Sequence, residues 1–318
     1  MGNKYPNFFI VGVAKAGTTS LYHYLRQHPE VYMSPIKEPH YFAKDIDINS
    51  FREDYKKNVI NIKDYLSKPS LEERHIAFVR NLDDYLQLFR DVKDEKAIGE
   101  ISNGYLYSTV AAKEIYAFNP HAKIIIILRN PFERAYSHYI MNLRLGFTKE
   151  TNFVKEVIND YNKSQKGWGI SHLYIELGLY YEQVKRYLET FPKQNVKIIL
   201  FDDLKKNIEK TVREIFKFLS VNANVNIDFN KKANVGVYLV PKSEKLNKTI
   251  LNIGRPLKFL LPDYTRKQMM NVYKKLFMKD GKPKLTVEHR KVLLPFFIED
   301  IERTQRLINR DLSMWLDI

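Results

Sequence analysis

The stretch Asn7-Phe-Phe-Ile-Val-Gly-Val-Ala-Lys-Ala-Gly-Thr-Thr-Ser-Leu21 passes from a short apolar segment, through a loop bounded by Gly12 and Gly17, into a helical pattern. A strand that enters a helix through such a loop is the context of a phosphate cradle, in which backbone N–H groups and the helix N-terminus face an anion. The two glycines have the Walker A separation, but Thr18 stands where that pattern needs lysine, and the lysine of the loop is Lys15, inside it. The loop is therefore not a Walker A. An ATP-dependent kinase of the same fold needs a Mg²⁺-binding hydroxyl with lysine beside it, and that pairing is missing here.

Working outward, Asn7–Val11, Ala97–Ile101, Lys123–Leu128 and Val196–Phe201 read as buried strands. Helical periodicity separates them at Thr18–Gln27, Tyr105–Phe118, Phe132–Leu145, Leu173–Thr190 and Leu204–Leu219. Alternation of this kind predicts an α/β fold, a P-loop-type parallel β-sheet flanked by helices on both faces, with ligands outside the carboxyl ends of the strands. From about residue 242 to 318 the pattern is helical, at Lys242–Ile253, Thr265–Leu276 and Thr286–Asn309, with Trp315 expected to close the tail onto the core. No repeat or Gly/Ser-rich linker interrupts the chain, so a single domain over 1–318 with a helical C-terminal extension is expected.

A second anion site is expected where the Ile-rich strand ends in Arg129-Asn-Pro-Phe-Glu-Arg-Ala-Tyr-Ser137-His-Tyr. Pro131 suits a first helical position, and Arg129 leaves the carboxyl end of a parallel strand toward the crevice. Arg129 and Ser137 can together grip a phosphate through guanidinium and hydroxyl hydrogen bonds, although an Arg salt bridge beside a helix-surface Ser fits the same residues.

These two motifs resemble the cofactor signatures of the sulfotransferase family, and in particular its branch of heparan sulfate sulfotransferases and bacterial relatives. Lys37-Glu-Pro-His-Tyr-Phe42, Gly99-Glu-Ile-Ser-Asn-Gly-Tyr-Leu106 and Arg310-Asp-Leu-Ser-Met-Trp-Leu316 extend the likeness over nearly the whole chain. The resemblance implies a donor, 3'-phosphoadenosine 5'-phosphosulfate, and a product, 3',5'-adenosine bisphosphate. Lys15, Gly17, Thr18 and Thr19 would hold the 5'-phosphosulfate, with Ala16 and Ser20 adding backbone or hydroxyl contacts, and Arg129 and Ser137 the 3'-phosphate. Lys242 falls where relatives carry a basic residue near the nucleotide. A sulfuryl group bears less charge than a γ-phosphoryl group, so one ammonium at Lys15 can neutralise the phosphate leaving group of an in-line transfer without a metal.

The acceptor hydroxyl needs a base within hydrogen-bond reach. The resemblance implies Glu38 in that role; His40 is the competitor, since its ordinary pKa suits proton transfer near neutrality. Tyr105 is a candidate acceptor contact, or equally a buried aromatic at a helix start. Glu100 is expected to be a structural hydrogen-bond anchor. Ile101 replaces a lysine found in some glycosaminoglycan-modifying relatives, which counts against a heparan-type acceptor while leaving a saccharide, glycolipid, sterol or small molecule open. Residues 44–80 and 145–172 are expected to line the acceptor side.

The chain has 318 residues and a net charge of +15, and residues 242–291 alone hold 14 basic and 4 acidic side chains. Such a surface attracts anions, yet no nucleic-acid module accompanies it, so a nucleic acid is not an expected partner; a non-catalytic binder of nucleotide or acidic polymer is the alternative. There is no cysteine, which removes disulfides and thiolate metal sites and fits a reducing, cytoplasmic setting. The eight histidines show no metal-like pairing. No apolar run approaches the roughly 18 residues of a membrane span, and the stretch Phe8–Ala14, preceded by Lys4 alone, is a poor secretory signal.

Overall fold

The computed structural model describes residues 5–230, 239–241, 268–269, 272–273, 276–280 and 285–317. The chain divides into two compact units, Met1–Lys231 with Thr286–Ile318, and Lys232–Leu285. In the second, Leu239–Pro241 pairs antiparallel with Met278–Asp280. The helices expected at Lys242–Ile253 and Thr265–Leu276 lie wholly or largely outside the described residues, as does Lys242.

The first unit is built on a parallel sheet. In chain order its strands are β1 (Phe8–Ile10), β2 (Val31–Met33), β5 (Ala97–Ile101), β6 (Lys123–Leu128) and β7 (Val196–Leu200), arranged β2-β5-β1-β6-β7. A separate two-stranded parallel ladder joins β3 (Ile36–Lys37) to β4 (Arg74–His75). The run Lys-Ile-Ile-Ile-Ile-Leu of β6 has no polar alternation because helices cover both faces of the sheet, and its five apolar residues are fully buried. The four strands expected from the sequence are all present and parallel. β2 adds an edge that three residues between Pro29-Glu30 and Ser34-Pro35 do not announce.

Local chemistry sets the helix ends. Asn130 caps helix Pro131–Leu145 by accepting from the Phe132 and Glu133 N–H groups, with Pro131 at the first helical position, and Gly146 ends the helix in left-handed conformation. The helix expected over Tyr105–Phe118 is broken into Gly104–Tyr107 and Ala111–Phe118, because Ser108 turns its hydroxyl to the N–H groups of Val110 and Ala111. Leu204–Leu219 likewise becomes Phe201–Lys206 and Ile208–Phe218, where Asn207 caps the second piece. Helix Tyr180–Thr190 begins later than the expected Leu173: Leu173 is itself left-handed, and Gly178 lies against Phe297 and Pro131.

The tail closes as expected. Thr286 and His289 form a reciprocal capping box that starts the helix Val287–Ile308. Beyond its end Trp315 is buried, its indole N–H donating to Asp202 at 3.2 Å.

Candidate active site

The loop and the second anion motif meet at the carboxyl edge of the sheet. β1 is followed by Gly12–Gly17, and helix α1 (Thr18–Leu25) starts at Thr18 without a side-chain cap, so its N-terminal N–H groups are left for a ligand. Lys15 and Gly17 are both left-handed, with φ of 74° and 81°. At Gly17 no side chain could follow, since a Cβ would sit 2.8 Å from the Phe201 ring. Arg129, emerging from β6, donates to the Lys15 carbonyl at 2.7 Å and to Glu133 at 3.1 Å, and its guanidinium lies 4.7 Å from the Phe201 ring centroid. Its Nε is buried without a partner. The Arg129 carbonyl is fixed in turn by the Tyr180 hydroxyl at 2.6 Å.

Lys15 is the electrostatic centre of this edge. Burial pushes its ammonium down to about 8, with Arg144, Arg129 and Lys37 adding to the shift and Glu38 opposing it. Among the described residues the Met141 sulfur, at 3.5 Å, is the one hydrogen-bond partner of its Nζ, and neither Lys15 nor Arg144 pairs with a carboxylate. A cluster of cations with little counter-charge, an orphan buried guanidinium N–H and an uncapped helix start fit a ligand with two anionic ends. Ser137, half-buried on the helix that follows Arg129, has its hydroxyl free of protein partners among the described residues. Thr18 is buried, and Ala16, Thr19 and Ser20 complete the loop and first turn.

Opposite this loop stands Glu38, whose charge reaches Lys15. The Glu38 N–H is bonded to the Ile101 carbonyl at the end of β5 (2.7 Å), and the β3–β4 ladder brings His75 to the same carboxyl. Oε1 accepts from Asn103 Nδ2 at 2.7 Å, Lys37 Nζ at 2.9 Å and His75 Nε2 at 3.1 Å. Among the described residues Oε2 has no hydrogen bond, and His40 Nε2 stands 3.8 Å from it. Burial alone would raise this carboxyl, but the Lys37 ammonium and the His75 ring outweigh it and hold the group well below the usual carboxylate range. Glu38 is thus an ionised carboxylate with one saturated and one open oxygen.

His40 does not compete for the base role. It is fully buried, stacked on Phe78 at 4.5 Å, and both ring nitrogens are engaged: Nδ1–H donates to the Ala77 carbonyl (3.2 Å) and Nε2 accepts from the Gly104 N–H (3.3 Å). Burial pushes its pKa to about 4, so the ring is a neutral pin. Tyr105 needs a similar correction. It is fully buried, and its hydroxyl donates to Glu100 at 2.7 Å while accepting from the Phe42 N–H at 3.3 Å, which leaves no surface for an acceptor. Glu100 is the anchor expected of it: Tyr85, Tyr105 and Ser102 all donate to its carboxylate, and burial nevertheless lifts it to about 7. Ser102 also accepts the His40 N–H at 3.1 Å, so Glu100 braces the segment that carries Glu38.

Lys37 and Asn103 lie inside motifs that carry the family resemblance, and Phe201 ends a buried strand, but none of them is given a role by the sequence; His75 and Arg144 reach the site through tertiary folding. Among the described residues no group of three His, Cys, Asp or Glu side chains is placed to hold a metal ion, and no helix is long and apolar enough to cross a membrane.

An α/β sheet thus carries, on one edge, a loop suited to an anion after its first strand and a braced carboxylate across from it. Residues 5–293 match the family described as Sulfotransferase domain, and the chain belongs to that family. It is similar to human carbohydrate sulfotransferase 15, with 28% identity over 248 residues, covering 68% of this chain and 44% of the relative. The Drosophila melanogaster bifunctional heparan sulfate N-deacetylase/N-sulfotransferase is 26% identical over 249 residues, covering 77% and 22% of the two chains. The chain therefore spans less than half the length of these curated relatives. The crystal structure of a sulfotransferase from Alicyclobacillus acidocaldarius superposes with a TM-score of 0.67 at 29% identity, covering 98% of this chain and 99% of that one.

Proposed function

We propose that this chain transfers a sulfuryl group from 3'-phosphoadenosine 5'-phosphosulfate to a hydroxyl of a saccharide acceptor, with Glu38 as general base. The observation that carries the reading is a half-buried ammonium, Lys15, held in a left-handed loop among cations and facing an ionised carboxylate with one open oxygen. The saccharide acceptor is supported by the carbohydrate sulfotransferase among the similar proteins.

When bound, the donor supplies an activated sulfuryl group on a phosphate leaving group. The protein's own part begins with the loop amides and the Lys15 ammonium, which meet negative charge that grows in the transition state. Arg129 and Ser137 hold the second phosphate and fix the register of the nucleotide. Glu38 Oε2 takes the acceptor proton, while Lys37, His75 and Asn103 on Oε1 keep the carboxylate turned the right way. A carboxylate held well below its usual range is a weak base at equilibrium, but it is ionised throughout the neutral range and needs no prior deprotonation.

Incubation with a sulfur-labelled donor and a fractionated cell extract tests the reading. Label is expected in a saccharide-containing product, and the Lys15→Ala protein should give none above background. Transfer from ATP with Mg²⁺, or no labelled product from any fraction with nucleotide-binding protein, would contradict it.

A further inference from the structure

Asn103 presents an unmet acceptor beside the proposed base. Its Nδ2 donates to Glu38 Oε1 at 2.7 Å, and an ionised carboxylate can only accept, so the amide is fixed with Oδ1 on its other side. That Oδ1 is buried and has no partner among the described residues, although Asn103 is 8% exposed. A buried carbonyl oxygen left unmet costs about 1–3 kcal/mol, and a hydroxyl donated by a ligand satisfies it.

The same edge carries an aromatic surface. Trp168 stands 5.6 Å from the His40 ring and 6.0 Å from Tyr107, on the short helix that begins directly after Asn103. Its indole N–H is tied to the Tyr55 hydroxyl at 3.0 Å, and the Arg52 N–H holds the neighbouring Gly169 carbonyl at 3.0 Å, where a side chain would strike the Phe51 ring. Trp168 and Tyr107 are nonetheless only half-buried, so a fixed aromatic pair keeps a solvent-facing surface beside His40.

Charge selects what such a surface takes. Most of the cations around it are matched: Lys37 with Glu38 at 2.9 Å, Arg52 with Asp54 at 2.9 Å, Lys163 with Asp160 at 2.8 Å, and Lys166 with Glu176 at 2.8 Å, while Arg186 donates to the Leu106 and Tyr107 carbonyls at 3.3 Å with its Nε unpartnered among the described residues. Arg80 is bound to backbone carbonyls of His40 and Ala43. This contrasts with Lys15 and Arg144 on the donor side, and it gives a polyanion little to bind.

We infer that Trp168 and Asn103 form the acceptor subsite, with the indole stacking on the apolar face of an uncharged sugar ring and Asn103 Oδ1 accepting from one of its hydroxyls. The inference rests on the sulfuryl-transfer reading above and narrows its acceptor to a neutral saccharide.

Tryptophan emission reads this directly, because the protein has two tryptophans and Trp315 is 1% exposed. The full chain, with 3',5'-adenosine bisphosphate present, is titrated with uncharged gluco-, galacto- and N-acetylglucosamine oligomers and, in parallel, with sulfated and uronate-containing ones. At least one uncharged oligomer is expected to give a saturable change that is insensitive to salt, absent in Trp168→Phe and weakened about tenfold in Asn103→Ala. A response confined to the charged oligomers, a response to none, or one undiminished in Trp168→Phe would overturn the inference. Nucleotide uptake is measured calorimetrically on the same samples. Protein that binds the nucleotide but no saccharide sinks the subsite alone, whereas wild-type protein that takes up no nucleotide sinks the transfer reading beneath it.

Discussion

The donor loop and the acceptor segment are built with the same backbone device and finished in opposite ways. Lys15 and Gly17 on one side, and Glu38 and His40 on the other, all have positive φ, a conformation costing about 1–3 kcal/mol for a residue other than glycine. In the loop, the groups so displayed are left unmatched: an ammonium without a carboxylate, a helix start without a cap, a guanidinium N–H without an acceptor. In the acceptor segment nearly everything is matched, from the three donors on Glu38 Oε1 to the two engaged nitrogens of His40. Unmatched polar groups are a binding site in waiting; matched ones hold a reactive atom still. The contrast supports the proposed division, with charge recognition in the first region and proton transfer in the second.

The largest expected effect comes from the second region. Glu38→Gln keeps the side-chain shape but removes the open carboxylate oxygen, and turnover should fall by about 10²–10⁴-fold with little change in nucleotide affinity, as measured by steady-state kinetics beside calorimetry. If affinity falls instead, the division of labour is wrong. Lys15→Ala should lower turnover by roughly 10²–10³-fold, because the charge it meets develops in the transition state. Arg129→Ala should weaken binding of the 3'-phosphorylated nucleotide by about 10–100-fold, the loss of a charged hydrogen bond, while adenosine 5'-phosphate binds as before; equal losses for both nucleotides would remove Arg129 from the 3'-phosphate.

The smallest effect concerns the brace under Glu38. Glu100 has a folded pKa of about 7, raised above its ordinary value by burial, so the folded state holds this proton more tightly than the unfolded one. Its contribution to stability is present below the ordinary value and is lost as pH rises through about 7. In urea unfolding between pH 5 and 8, wild-type stability relative to Glu100→Gln should therefore decline as pH rises. A difference that stays flat would place the Glu100 carboxyl in its ionised form throughout.

Legibility in the sequence followed the same division. The loop, β6 and Arg129 are local: an Ile-rich run, two spaced glycines and a proline at a helix start suffice to place Lys15 and Arg129 on one sheet edge. The surroundings of Glu38 are not local. His75 arrives through a two-residue ladder, Asn103 from the end of β5, and Lys37 turns onto its own neighbour, so burial and saturation there follow from pairings no periodicity encodes. His40 looked suited to a base because an isolated imidazole titrates near neutrality; full burial and two backbone partners remove that property. Tyr105 failed for the same reason, as its hydroxyl serves Glu100. Helices were over-extended wherever a polar side chain, Ser108 or Asn207, turned back on the backbone and started a new segment.

Calorimetric titration of the protein with 3',5'-adenosine bisphosphate, in buffers of differing ionisation enthalpy on either side of pH 8, tests the unmatched Lys15 ammonium most directly. A phosphate should restore the pKa that burial has pushed down to about 8, so binding is expected to take up a proton above pH 8 and to weaken as pH rises further, with the uptake lost in Lys15→Ala. Binding with no proton uptake, or no binding by folded protein, would contradict the account.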